Sequence, residues 1–134
     1  MTLVSGSRAL MESYLEALSS GVGFADYFTD DVIIEIVGSG QTAQGRATVE
    51  AMIRYVHEQA FDGRPVVKAL TVTDSAGALE ADFVARHTGD FAGIAATGRD
   101  IRVPYSVHYD FKDGQIAALR IYGLASDLIQ KLTA

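Results

Sequence analysis

Apolar residues in the first third of the chain recur at intervals of three and four. Leu10, Met11, Tyr14, Leu15, Ala17 and Leu18 fall on one helical face, which predicts a first helix from Ser7, as N-cap, to a stop at Gly21. A short helix is expected at Phe24–Phe28. The β-rich run Val32–Val37 follows Asp30-Asp31, and Gly38–Gly45 reads as a loop. Val49, Met52, Ile53 and Val56 mark a third helix over Arg46–Ala60. From Val66 onward the pattern is that of strands, expected at Val66–Thr73, Leu79–Thr88, Ile101–Lys112 and Gln115–Tyr122. Ser75-Ala76-Gly77 and Lys112-Asp113-Gly114 supply the hairpin turns, Asp-Gly being a strong signal of one. A last helix is expected at Ala125–Leu132.

Helices first and mostly antiparallel strands afterwards predict a single α+β domain over residues 1–134. Two strands are long enough to bend, and a bent sheet offers a concave face that three or four helices can cover. Apolar residues make up 49% and charged ones 21%, a balance that supports a packed core rather than disorder. The formal charge of −6, with no Lys/Arg cluster, argues against a nucleic-acid partner. There is no cysteine, hence no disulfide, thiolate metal site or cysteine nucleophile, and no asparagine to glycosylate. Met1 to Gly6 lacks the charged and apolar regions of a signal peptide, and no apolar run approaches the roughly 20 residues of a membrane span. The expectation is a cytoplasmic protein without a membrane partner.

Several ordered segments resemble a known family. Arg86-His87-Thr88-Gly89-Asp90-Phe91-Ala92-Gly93-Ile94, then Ala96-Thr97-Gly98-Arg99, resembles the "HTG-x-F-x-G … TG-[KR]" segment of SnoaL-like polyketide cyclases. Phe111-Lys112-Asp113-Gly114-Gln115-Ile116 resembles their "F-x-DG-K-I". Leu10-Met11-Glu12-Ser13-Tyr14, Phe28-Thr29-Asp30-Asp31 and Gly45-Arg46 resemble pieces of ketosteroid isomerases. The resemblance implies the nuclear transport factor 2-like fold, a cone-shaped, strongly bent sheet with an interior pocket, often dimeric. It does not carry the chemistry with it. The isomerase needs a carboxylate base and an oxyanion hole made of a Tyr and a protonated Asp. Here the base position falls on Ile36 and the oxyanion Asp on Val107. Tyr14 keeps the tyrosine, while two supporting tyrosines fall on Phe28 and Ile53. The Asp that the cyclases carry in the final strand falls on Ile121. Isoleucine accepts no proton, so the pocket is expected to transfer and the usual mechanisms are not.

Strand alternation then sorts what remains. If Val107 faces inward, so do Tyr105 and Tyr109, and the row Leu79, Ala81, Phe83, Ala85 and His87 joins them. The expected ligand-binding lining is Ile36, Met52, Ile53, Phe83, Tyr105, Val107, Tyr109 and Ile121, with Tyr14 and His87 as catalytic candidates. Histidine as a residue type suits acid–base work near neutral pH, which makes His87 a candidate, or else it ends a strand by hydrogen bonding a backbone carbonyl near Gly89. Tyr14 is either a donor to a ligand carbonyl or a core tyrosine. Glu35 points away if Ile36 points in, and a one-residue slip would restore a carboxylate base. His108 and Asp110 are spaced for a metal, but a stable site takes three or four ligands, and Arg120 as a cross-strand neighbour disfavours a cation; no metal and no cofactor is expected. His57 and Glu58, closing the third helix, are expected in solvent.

Three functions fit this reading: an isomerase- or cyclase-type enzyme on a small hydrophobic ring-containing carbonyl compound, a non-catalytic binder of such a molecule, or a dimeric association module. A homodimer covering the outer sheet face, with His108 and Tyr122, is expected in each case.

Overall fold

The computed structural model describes residues 3–134, with side chains from residue 6 onward. Met1 and Thr2, the start of the stretch read above as lacking signal-peptide character, lie outside the described residues. Helix α1 (Leu3–Ser20) leads through a 3₁₀ turn (Phe24–Tyr27) to strands β1 (Phe28–Ile36) and β2 (Gln41–Gln44). Helix α2 (Arg46–Arg54) passes into a π-helical turn (Tyr55–Ala60). Strands β3 (Phe61–Val72), β4 (Ala76–His87), β5 (Asp100–Lys112) and β6 (Gln115–Tyr122) follow, then helix α3 (Leu124–Thr133). The strands form one curved, open sheet in the order β2-β1-β6-β5-β4-β3. Among the described strands, only β1 and β6 run parallel. The expected α+β cone is the observed architecture, with three helices. No described helix is long and apolar enough to cross a membrane.

Several boundaries move, each for a physical reason. Helix α1 begins before Ser7, whose hydroxyl donates to the Asp74 carbonyl at 3.3 Å instead of capping the helix. Strand β1 starts at Phe28, and β2 occupies part of the expected loop. β2 is exposed except for half-buried Ala43, and joins the sheet by backbone pairing to β1, which apolar patterning does not report. Strand β3 reaches back to Phe61 and takes Pro65 into its interior. It is an edge strand, where a missing N–H is tolerated. The third helix gives up α geometry after Arg54, because its last turn is π-helical.

The sheet bends where registers slip, between Phe28 and Ile33, Val67 and Ala69, and Asp110 and Phe111. Its concave face meets α1, the 3₁₀ turn and α2 through a first core that includes Met11, Tyr14, Phe28, Ile34, Val107 and Tyr109. A second core gathers Phe61, Phe83, Ile101 and Val103 beneath Leu128 and Leu132 of α3. The connection after β4 is fastened on both sides. Tyr55 donates its hydroxyl hydrogen to the Asp90 carbonyl, and the Thr88 and Gly89 amides donate to Ala60, each at 3.0 Å. A Cβ at Gly89 would lie 2.4 Å from the Gln59 carbonyl oxygen, so only glycine fits there. Arg99 donates to the carbonyls of Lys131 and Ala134 at 3.1 Å, satisfying acceptors that the end of α3 leaves free.

Candidate functional site

Three tyrosines converge inside the cone. Tyr14 projects from α1, and its ring packs against Tyr27, Phe28 and Tyr109 at centroid distances of 6.5, 5.5 and 6.0 Å. Tyr109 and Tyr105 enter from β5, two pleats apart on the concave face. Tyr14 and Tyr109 are almost fully buried, whereas Tyr105 is half-buried and packs against both cores. Burial holds the Tyr14 phenol far above its ordinary range, with Tyr105 nearby opposing its ionisation as well. Tyr109 is raised by burial first, then by Tyr14 and Tyr105; Tyr105 is raised by burial. All three remain protonated, and each can donate a hydrogen bond.

Two imidazoles lie at the second core. His87, at the end of β4, is completely buried, with its ring 5.1 Å from that of Phe61. Its Nδ1 accepts the Thr97 amide at 3.0 Å and also meets the Thr97 hydroxyl at 3.0 Å. The partner is thus the Thr-Gly pair downstream, and not a carbonyl near Gly89. Because Nδ1 accepts an amide, the ring proton sits on Nε2. His57, expected in solvent, is partly buried instead, with its ring edge-on to Phe83 at 5.2 Å. Its Nδ1 donates to the Ile53 carbonyl at 2.9 Å. The Nε2 atoms of both histidines are covered and have no hydrogen-bond partner among the described residues. His57 stands four residues after Ile53 and eight after Val49, on the same helical stripe, and that spacing is the signal that could have revealed it.

The remaining candidates divide cleanly. Ile53, Phe83 and Val107 are buried, and Met52 is half-buried against the first core. Ile36 pairs with Ile121, and Ile121 with Val107, so these three share the concave face. Glu35 pairs with Arg120 and Thr42, between buried Ile34 and half-buried Ile36. The register is therefore the one that turns Glu35 outward, away from the concave face. On the outer face, the Asp110 carboxylate is held in a two-pronged pair by Arg120 at 2.7 and 3.2 Å, while His108 packs on Tyr122 at 5.3 Å. No group of three metal-ligating side chains occurs among the described residues.

Two surface depressions border the sheet. A groove of about 320 Å³, largely open to solvent, crosses the outer face between Lys68, Glu80, Pro104, Ser106 and Tyr122. A more enclosed one, about 160 Å³, lies at the rim, bordered by Ile36, Val37, Gly38, Ser39, Ile121, Gly123 and the start of α3. Of the expected lining, Ile36 and Ile121 border the smaller cavity and Tyr105 the groove, whereas Met52, Ile53, Phe83, Val107 and Tyr109, like Tyr14 and His87, border neither. Ser106 is the residue of β5 opposite Tyr122, so Tyr105 lies beside Gly123, and both border the outer groove. Leu124 borders the rim cavity and packs on the second core.

A bent open sheet whose helices cover a concave face lined with phenols and imidazoles is a nuclear transport factor 2-like cone. The chain belongs to the SnoaL-like polyketide cyclase family, whose model matches residues 9–130. Solved structures agree in fold. A protein from Jannaschia sp. CCS1 described as a SnoaL-like polyketide cyclase is 18% identical, with a TM-score of 0.87 over 100% of this chain and 96% of the other. One from Xanthomonas campestris pv. campestris described as a polyketide cyclase is 19% identical, with a TM-score of 0.82 over 98% and 99%. One from Kribbella flavida DSM 17836 described as a ketosteroid isomerase is 21% identical, with a TM-score of 0.72 over 90% and 79%. No curated protein matches the chain.

Proposed function

We propose that this protein binds a small neutral carbonyl compound with a single ring and catalyses proton transfer on it, as an isomerase or cyclase without the usual carboxylate base. The observation that carries this reading is the set of Tyr14, Tyr105 and Tyr109, three interior phenols kept as donors by burial. Donors aimed at a carbonyl oxygen stabilise the charge that develops when a neighbouring carbon loses its proton. His87, with Nε2–H inward, is a further donor. The proposed way in is the rim cavity, which Ile36 and Ile121 border. An apolar cavity near 150 Å³ admits a benzene ring, so the volume here favours one ring over a fused system. With Ile36, Val107 and Ile121 in the places of the known carboxyl groups, isomerisation of steroid ketones is not expected. No cofactor is invoked. Those same aliphatic residues favour the alternative, a binder that turns nothing over.

We further propose that two copies associate through the outer face. Tyr122 is 39% exposed there, near exposed His108 and Pro104.

The test of the pocket is methyl NMR during titration with cyclohex-3-en-1-one. Saturable shifts at Ile36 and Ile121 are expected, weakened several-fold in Tyr105→Phe. Equal response to a nucleotide, or none to the ketone, defeats the reading.

A further inference from the structure

We propose that His57 is an acid-sensitive latch: a proton on its Nε2 releases the π-helical turn Tyr55–Ala60 from the connection that follows β4. The device is independent of the pocket, since no ligand has to reach the ring. Its geometry begins at the backbone. A carbonyl oxygen can only accept, so the 2.9 Å contact from His57 Nδ1 to Ile53 places the ring proton on Nδ1. Nε2 is then a bare lone pair, covered by protein and without a partner among the described residues. A proton added there creates a donor and a positive charge with no acceptor to meet them, a costly state for a covered group. Water is the remaining acceptor. His57 as a whole is only part-buried, so an outward movement of the turn brings Nε2 to solvent, and protonation then holds it there.

The turn is placed where such a movement has a consequence. It is π-helical, a geometry often found at functional sites, and the regular α ladder has already ended at Arg54. At its start Tyr55 donates its hydroxyl hydrogen to the Asp90 carbonyl, and at its end the Ala60 carbonyl accepts the Thr88 and Gly89 amides at 3.0 Å. His57 lies between these two fastenings. Gly89 approaches so closely that an added Cβ would stand 2.4 Å from the Gln59 carbonyl oxygen, so the turn cannot move outward without stretching these bonds. Phe91 of the same connection packs on Phe61 at 5.2 Å, and Phe61 on Phe83 at 5.7 Å. Release of the latch therefore uncovers one edge of the second core.

The surroundings offer a cation little in exchange. On its own turn the charged group is Glu58, and Arg54 of α2 engages it at 2.7 Å while also holding Glu50 at 2.8 Å. From β4 the ring meets Phe83 edge-on at 5.2 Å, and around Phe83 stand Phe61 of β3 and Tyr105 of β5. His87 stands behind Phe61, its Nδ1 taken by the Thr97 amide. Burial accordingly lowers the His57 pKa, opposed by the Ile53 carbonyl and by Glu58. A folded pKa below the unfolded one, near 6.5, favours the closed form fully above that value, and the contribution is lost as pH falls toward the folded one. Within that window opening takes up one proton, so the open population grows by up to about tenfold per pH unit. The window begins far above the outer-face carboxyls Asp82, Asp100 and Asp110, which are held under 3.8.

Amide hydrogen exchange of the full chain, read by NMR from neutral pH downward and corrected for intrinsic rates, tests the latch. The Thr88 and Gly89 amides should lose protection together below pH 6.5, by up to about tenfold per pH unit, while amides in the middle of β5 keep theirs. His57→Gln should abolish that slope, because its side-chain amide takes up no proton. A flat profile in the wild-type protein overturns the proposal. So does a slope that survives in His57→Gln, which assigns the proton to another group. Ring nitrogen-15 shifts of the wild-type protein decide the matter if the variant does not fold. They should show protonated Nδ1 and bare Nε2 in His57 at neutral pH, with the ring becoming charged over the same pH range in which the two amides lose protection. A proton on Nε2 at neutral pH, or a charged ring with both amides still protected, refutes the latch.

Discussion

Phe83 shows how one side chain sets the spacing of the interior. Its ring is fully buried and touches His57, Phe61 and Tyr105 edge-on. On β3 the ring lies over Gly63, where an added Cβ would stand 2.6 Å from the tip of Phe83 and 2.7 Å from the Ala85 Cβ. The first atom belongs to a ring wedged on three sides, and the second cannot rotate away. Gly63→Ala should therefore destabilise the fold by about 1–3 kcal/mol, the usual cost of overpacking. Thermal denaturation should show a Tm lowered by several degrees. Relief in the double variant Gly63→Ala/Phe83→Leu would demonstrate that the ring takes the strain, since contacting residues fail to add. An unchanged Tm in Gly63→Ala would refute the contact.

At the scale of elements, the outer face of the sheet is clipped by ion pairs between neighbouring strands. Asp82 of β4 takes Lys68 of β3 at 2.9 Å and Arg102 of β5 at 2.6 Å. Arg86 of β4 holds Asp100 of β5 at 3.0 Å, and Arg120 of β6 holds Asp110 of β5 at 2.7 Å. Asp82 is only 4% exposed, yet it lies under two flexible cations at the surface and not in the interior, so screening limits its worth. Each carboxyl is held below the ordinary carboxylate range, Asp82 chiefly by its hydrogen bond from Lys68, Asp100 by Arg86 and Asp110 by Arg120. The sign follows from linkage. A folded pKa below the unfolded one stabilises above the unfolded value, near 3.8 here, and that contribution is lost as pH falls through the folded one. Melting temperature should accordingly drop below about pH 4, less steeply at high salt and less steeply in Asp82→Asn. An acid profile identical in Asp82→Asn and wild type would remove Asp82 from the account.

For the whole molecule, the bend that closes the concave face leaves the outer face in water. Charged clips cover much of it, while Tyr122, His108 and Pro104 remain around the open groove. The proposed dimer would bury this region. Light scattering at micromolar concentration should return twice the 14.3 kDa of one chain, and Tyr122→Glu should shift it toward one. A wild-type mass of one chain would overturn the dimer without touching the interior assignments.

The sequence alone determined what depends on period. Alternation placed Leu79, Phe83 and His87 on one face and Glu80 and Arg86 on the other, because a pleat repeats every two residues whatever its neighbours are. The resemblance to the isomerases and cyclases implied separately that Ile36, Val107 and Ile121 stand where those proteins carry carboxyl groups. The structure decided what depends on pairing and on distant partners. One strand cannot say which of its faces is covered, so Glu35 and Ile36 were separable only after β6 set Ile36 beside Ile121. β2 was invisible because backbone bonds hold it. Thr97 fixed the tautomer of His87 across a gap of ten residues. His57 carried its signal in its spacing from Val49 and Ile53, but a residue at a helix end is exposed or covered according to what packs there. Here Phe83, brought in by β4, covers it. Local periodicity is a property of the chain's own geometry, whereas burial and protonation state belong to the neighbours that folding brings.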